Sequence, residues 1–178
     1  MAAHRSLIQQ GELAPPTSRI AQAAGVSPRT LFTHFPDVET LFAATSESVS
    51  EDVLLLQRSP DPGLPLPERL ELFLDNRDEL YRFLTPFSLS VRIREQSSPV
   101  LSSRRAAMAG LSLQDVAATF APELAERPEQ EHDELVAAVE TCSTWSTWYH
   151  LRNELGLADD PARRIMRRLV LQVLGVLG

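Results

Sequence analysis

Residues 20–36 read Ile20-Ala21-Gln22-Ala23-Ala24-Gly25-Val26-Ser27-Pro28-Arg29-Thr30-Leu31-Phe32-Thr33-His34-Phe35-Pro36. This stretch predicts two short helices with a tight turn between them. Ile20, Ala21, Ala23 and Ala24 form a small apolar face, and Gly25 stands where a left-handed residue closes a helix. Ser27 followed by Pro28 is a start signal, because serine accepts from free backbone N–H groups and proline suits the first helical position. Val26, Leu31 and Phe35 then turn toward a small core, leaving Arg29, Thr30, Thr33 and His34 outward. Two helices joined by a glycine-containing turn, the second showing short polar side chains, make a helix-turn-helix.

With Asp37, Glu39, Leu41 and Phe42 following, the segment closely resembles the DNA-binding domain of the TetR family of transcriptional regulators. The residues that carry the resemblance are Ile20-Ala21, Ala24-Gly25-Val26-Ser27, Thr30-Leu31-Phe32 and His34-Phe35, with Gly11 at the usual distance upstream. The likeness covers roughly the first quarter of the chain. It implies residues 1–45 as a DNA-binding domain and residues 46–178 as a helical effector-binding and dimerisation domain.

In that architecture residues 27–34, including Ser27 and Pro28, enter the major groove. Arg29 is the candidate base reader, since a guanidinium bonds guanine O6 and N7 together. Thr30 and Thr33 suit either a base edge or a thymine methyl. The resemblance places Phe32 and His34 against phosphates, and Thr17 near the start of the preceding helix suits another. Three positions depart from the family pattern. Phe32 replaces the usual tyrosine, Val38 stands where lysine is common, and the first helix, beginning at Met1, carries no basic arm. Few phosphate contacts and a shallow salt dependence are expected.

Bulk properties agree with a helical protein. Of 178 residues, 43% are hydrophobic, seven are glycine, and almost no stretch alternates with a period of two. All 17 basic residues are arginine, and the net charge is −7. Residues 1–50 hold Arg5, Arg19 and Arg29 against Glu12, Asp37, Glu39 and Glu47, so most of the negative charge lies further on. One cysteine, Cys142, excludes an intramolecular disulfide. No apolar run is long enough to span a bilayer, and no signal peptide is evident, so a cytoplasmic location is expected.

The fold class is all-α, with about nine helices. Residues 2–10 form the first helix, and Thr17 or Ser18 caps the second. Asp37 caps a longer one carrying Val38, Leu41, Phe42, Thr45, Val49 and Val53 at helical spacing. Residues 59–65 are a loop. A helix from Glu68 to Leu84 is interrupted by Thr85-Pro86, and a shorter one runs through Ile93. Residues 100–121 form another helix, 135–155 a long one, and 161–177 the last, capped by Asp159 or Asp160.

On the long helix, Cys142, Trp145 and Tyr149 share one face, with Trp148, Leu151 and Leu155 beside it. The last helix has an equally broad arc of Ile165, Leu169, Val173 and Val176 beside Met166, Val170 and Leu177. Two such helices per copy point to a four-helix homodimer interface. Phe83, Phe87, Met108, Phe120, Trp145 and Tyr149 are candidates to line an effector cavity, although aromatics at this spacing also serve as ordinary core. Catalysis finds no support. Glu131, His132, Asp133 and Glu134 point around a helix, and Cys142 lies too far along it from His150 for a nucleophile–base pair. No metal or cofactor is expected.

The reading is thus a dimeric regulator of a palindromic operator, modulated by a small-molecule effector. A repressor is favoured, because steric occlusion needs no polymerase-contacting surface. The alternative is a helical small-molecule-binding protein with weak or lost DNA binding.

Overall fold

The computed structural model describes residues 1–94 and 98–176, and among these every regular element is helical. The chain divides into two compact units, one of residues 1–55 with 83–108 and one of residues 56–82 with 109–178.

The first unit starts with α1 (Ala2–Gln9), α2 (Thr17–Ala23), α3 (Pro28–His34) and α4 (Val38–Leu56). Leu7, Ile20, Ala21, Leu31 and Leu41 form a buried cluster with Phe35 packed against it. Along α4, Leu41, Phe42, Thr45, Val49 and Val53 are buried, the stripe expected from their spacing. Polar side chains tie α1 to α4. The His4 ring meets Thr45 Oγ1 at 2.9 Å and sits edge-on to Phe42, with centroids 4.3 Å apart. Arg5 donates to Ser48 Oγ at 2.7 Å and pairs with Asp52.

α5 (Leu66–Arg94) lends residues 83–94 to the first unit and residues 66–82 to the second. It runs unbroken through Pro86, contrary to the expected interruption. An interior proline costs about 3 kcal/mol, and packing on both sides offsets it. Phe87 and Tyr81 are buried, and Ser90 Oγ donates to the Leu13 carbonyl at 2.6 Å.

α6 (Pro99–Thr119) ends one residue before α7 (Ala121–Ala125), whose Pro122 occupies the first turn. A 3-10 turn at 129–131 leads into α8 (His132–Ser143). The long helix expected over 135–155 is broken at Thr144, which is extended at ψ 161°. Its hydroxyl accepts from Thr147 N at 3.1 Å and starts α9 (Trp145–Tyr149), which passes into a π-helical turn at 150–154. α10 (Asp159–Val173) completes the fold. Its N-cap is Ala158, so neither Asp159 nor Asp160 caps it; both lie in its first turn, where the dipole favours acids. Leu177, the expected helix end, lies outside the described residues. With α8 and α9 taken as one interrupted helix, the described residues hold nine.

The second unit is built on Leu70, Phe73, Leu74, Val116, Phe120, Val139 and Met166. Phe73 and Phe120 meet edge to face at 5.2 Å. Arg77 is buried among them, 4.7 Å above the Phe73 ring and bonded to Asp115 and Ser112. The Tyr81 hydroxyl donates to the Ser143 carbonyl at 2.6 Å, and burial pushes its pKa up to about 12.

Candidate nucleic-acid interface

α2 ends in a double hydrogen bond around a left-handed glycine. Gly25 sits at φ +67°, Gly25 N donates to Gln22 O at 3.1 Å, and Val26 N donates to Ala21 O at 3.0 Å. This six-to-one, five-to-two pair is a Schellman closure, which satisfies carbonyls that the helix end would otherwise strand. Two residues later Ser27 caps α3, its Oγ accepting from Thr30 N at 3.0 Å, with Pro28 in the first turn. α3 stops at Phe35, which is extended because Pro36 follows and the α region is disfavoured before proline. Asp37 then starts α4, its carboxylate accepting from Thr40 N at 2.7 Å. That bond holds the acid below the usual carboxylate range.

The predicted inward and outward sets divide largely as expected. Ile20, Ala21 and Leu31 are buried, and Phe35 is half-buried. Three expectations need correction. Val26 is 38% exposed, because the chain turns away at Gly25. Ala23 and Ala24 are exposed for the same reason, standing at the end of α2 where the turn begins. Thr17 and Ser18 do not cap α2; Pro16 takes that position without a side-chain bond.

Ser27, Pro28, Arg29, Thr30, Phe32, Thr33 and His34 are all exposed, and Thr17 is half-buried. The structure thus brings seven of the eight candidate DNA-contacting residues together on α3 and its cap. The hydroxyls of the set are already engaged. Ser27 Oγ and Thr30 Oγ1 lie 2.9 Å apart, and Thr33 Oγ1 donates to the Arg29 carbonyl at 3.0 Å. The local charge is thinner than the sequence suggests. Arg5 pairs with Asp52 and Arg19 with Glu12 at 3.1 Å, whereas Arg29 has no ion pair among the described residues.

Residues 1–45 match the family model of the bacterial regulatory proteins, tetR family. The chain carries a TetR-family DNA-binding domain. No curated protein and no solved structure matches it. The match supports a DNA-binding transcription regulator of the TetR type.

The six candidate effector residues are divided between the two units. The Phe83 and Phe87 rings meet at a 50° tilt with centroids 5.5 Å apart in the first, which also holds Met108. Trp145 and Tyr149 stack at 4.9 Å in the second, where Phe120 is fully buried. Two cavities have other linings. One of about 200 Å³ in the first unit is bounded by Val38, Glu39, Phe42, Arg94, Ser98 and Leu101. Another, of about 140 Å³ in the second unit, has Leu74, Trp148 and Met166 among its apolar walls and Asp78, Arg152 and Arg163 among its charged ones. Arg94, 4.1 Å above the Phe42 ring, was not foreseen; residues 52 positions apart leave no local signal that they will meet. Among the described residues, no helix is long and apolar enough to cross a membrane.

Proposed function

We propose that this protein is a cytoplasmic, homodimeric repressor that binds a palindromic operator and is modulated by a small-molecule effector. Residues 1–45 serve as the DNA-reading domain and residues 46–178 as the effector and dimerisation domain. The observation that carries the reading is α3, capped at Ser27 and pinned by buried Leu31, with Arg29, Thr30, Thr33 and His34 on the outside. Arg29 reads a base, and His34, Phe32 and Thr17 approach the backbone.

Dimerisation is supported by α10. Ile165 and Leu169 are 37% and 36% exposed, although Met166 and Val170 of the same helix are buried. At 100° per residue these two exposed side chains of α10 lie about 40° apart on one face, a natural seam for a second copy. Effector binding in residues 46–178 then changes the spacing of the two recognition helices. The candidate effector residues form two separate sets, Phe83, Phe87 and Met108 in the first unit and Phe120, Trp145 and Tyr149 in the second, and each set is a proposed ligand site on its own.

The test is selection of bound duplexes from a randomised pool, with sedimentation to give the stoichiometry. Enrichment of an inverted repeat bound by two copies is the expected result. No enriched sequence, or a protein that stays monomeric at high concentration, refutes the reading. The second reading, a small-molecule-binding protein with weak DNA affinity, draws on the ion pairs that occupy Arg5 and Arg19. The same selection separates the two.

A further inference from the structure

The exposed face of α3 holds less hydrogen-bonding capacity than its residue names suggest. Thr33 has one hydroxyl proton, and it is donated to the Arg29 carbonyl at 3.0 Å. Thr30 Oγ1 lies 2.9 Å from Ser27 Oγ, the oxygen that also caps the helix through Thr30 N at 3.0 Å. Phe32, 41% exposed, has no polar atom in its side chain. A threonine whose oxygen is turned back onto its own helix leaves its methyl as the outer part of the side chain.

We infer that Thr33 reads a thymine through its methyl group, close to a guanine read by Arg29. The inference rests on the operator-binding reading above. With its proton committed to Arg29, the Thr33 hydroxyl has none to donate to a base acceptor, which favours the methyl contact and gives the half-site a guanine–thymine composition. Arg29 and Thr33 are four residues apart, about 6 Å of helical rise. Successive bases are about 3.4 Å apart, so the two bases lie one or two steps from each other. In the major groove thymine alone of the four bases presents a C5 methyl, and a methyl against a methyl is apolar contact that no other base reproduces.

The test uses the full chain and the duplex it selects from a random pool. Each thymine of the half-site is replaced in turn by deoxyuridine, which deletes the C5 methyl and leaves every hydrogen-bonding group in place. One replacement is expected to weaken binding about fourfold, the factor for losing one buried methyl. Thr33→Val keeps the methyl and is expected to retain both the affinity and the deoxyuridine penalty. Thr33→Ser keeps the hydroxyl and is expected to bind about fourfold more weakly and to ignore the replacement. Thr33 is exposed, so both variants should fold, which circular dichroism checks. Indifference of the wild-type protein to deoxyuridine at every position overturns the inference. So does affinity kept by Thr33→Ser and lost by Thr33→Val, or a penalty that persists in Thr33→Ser. A pool that yields no enriched sequence defeats the operator reading itself, a result distinct from all of these.

Discussion

Arg77 and Asp115 form a 3.0 Å ion pair in which both side chains are almost wholly removed from solvent, 4% and 3% exposed. The guanidinium also donates to Ser112 Oγ at 2.9 Å and to the Tyr81 oxygen at 3.2 Å, and Ser59 donates to the carboxylate. Removing one member strands the other charge. Asp115→Ala is expected to lose about 3–5 kcal/mol in urea unfolding followed by circular dichroism. Replacing both together, Arg77→Met with Asp115→Leu, should restore most of that loss. A single variant that unfolds like the wild type would show that water reaches the pair.

Gly25 tests the turn before the recognition helix. A Cβ there meets nothing within 4 Å, so the whole penalty is the left-handed backbone at φ +67°. Gly25→Ala should therefore destabilise by about 1–2 kcal/mol. Operator affinity, measured well below the unfolding midpoint, should change little.

Acid stability should report on His4. Burial first, then the N-terminal ammonium and Arg94, push its pKa down from 6.5 to about 4. The unfolded chain takes up a proton as pH falls below about 6.5, while the folded one resists until about 4. The neutral ring thus costs nothing at pH 7, and stability declines through that window. Asp37 and Glu71, held below their usual range by hydrogen bonds, add acid losses of their own, so the comparison must be differential. Between pH 7 and 4.5, wild type should lose about 2 kcal/mol more than His4→Gln. Equal losses would place the proton elsewhere.

Salt dependence follows from the occupied arginines. Arg5 and Arg19 are paired to acids, leaving Arg29 and His34 as the cationic candidates on the outer face of the head. The slope of log affinity against log salt should be no steeper than about −2 per protomer, given about −0.9 per phosphate neutralised. Arg29→Ala should lose about 1–3 kcal/mol and relax preference at one base pair.

The readable parts of the sequence were those whose physics is local. Gly25, Ser27-Pro28, Pro36 and Asp37 each act within four residues, and each turn and cap appears where their chemistry put it. Long-range compensation was invisible. Pro86 reads as a helix end until the packing of Phe87 and Tyr81 is known. Arg77 carries no local sign of its burial, because its partner lies 38 residues ahead on another helix. Threonine is a weak breaker, so nothing local announced the step at Thr144. The candidate DNA contacts were legible as residue types, whereas the hydroxyl engagement of Thr30 and Thr33 needed coordinates.

The step at Thr144 also liberates an acceptor. In an unbroken helix the Ser143 carbonyl would receive the N–H of Thr147. Here the Thr144 hydroxyl takes that N–H at 3.1 Å, and the vacated oxygen receives the Tyr81 phenol at 2.6 Å instead. A gap in one helix thereby becomes the anchor point of another. Thr144→Ala, by letting the extended residue relapse into helix, would return the Ser143 carbonyl to the Thr147 N–H and take from the buried Tyr81 hydroxyl the acceptor to which it donates.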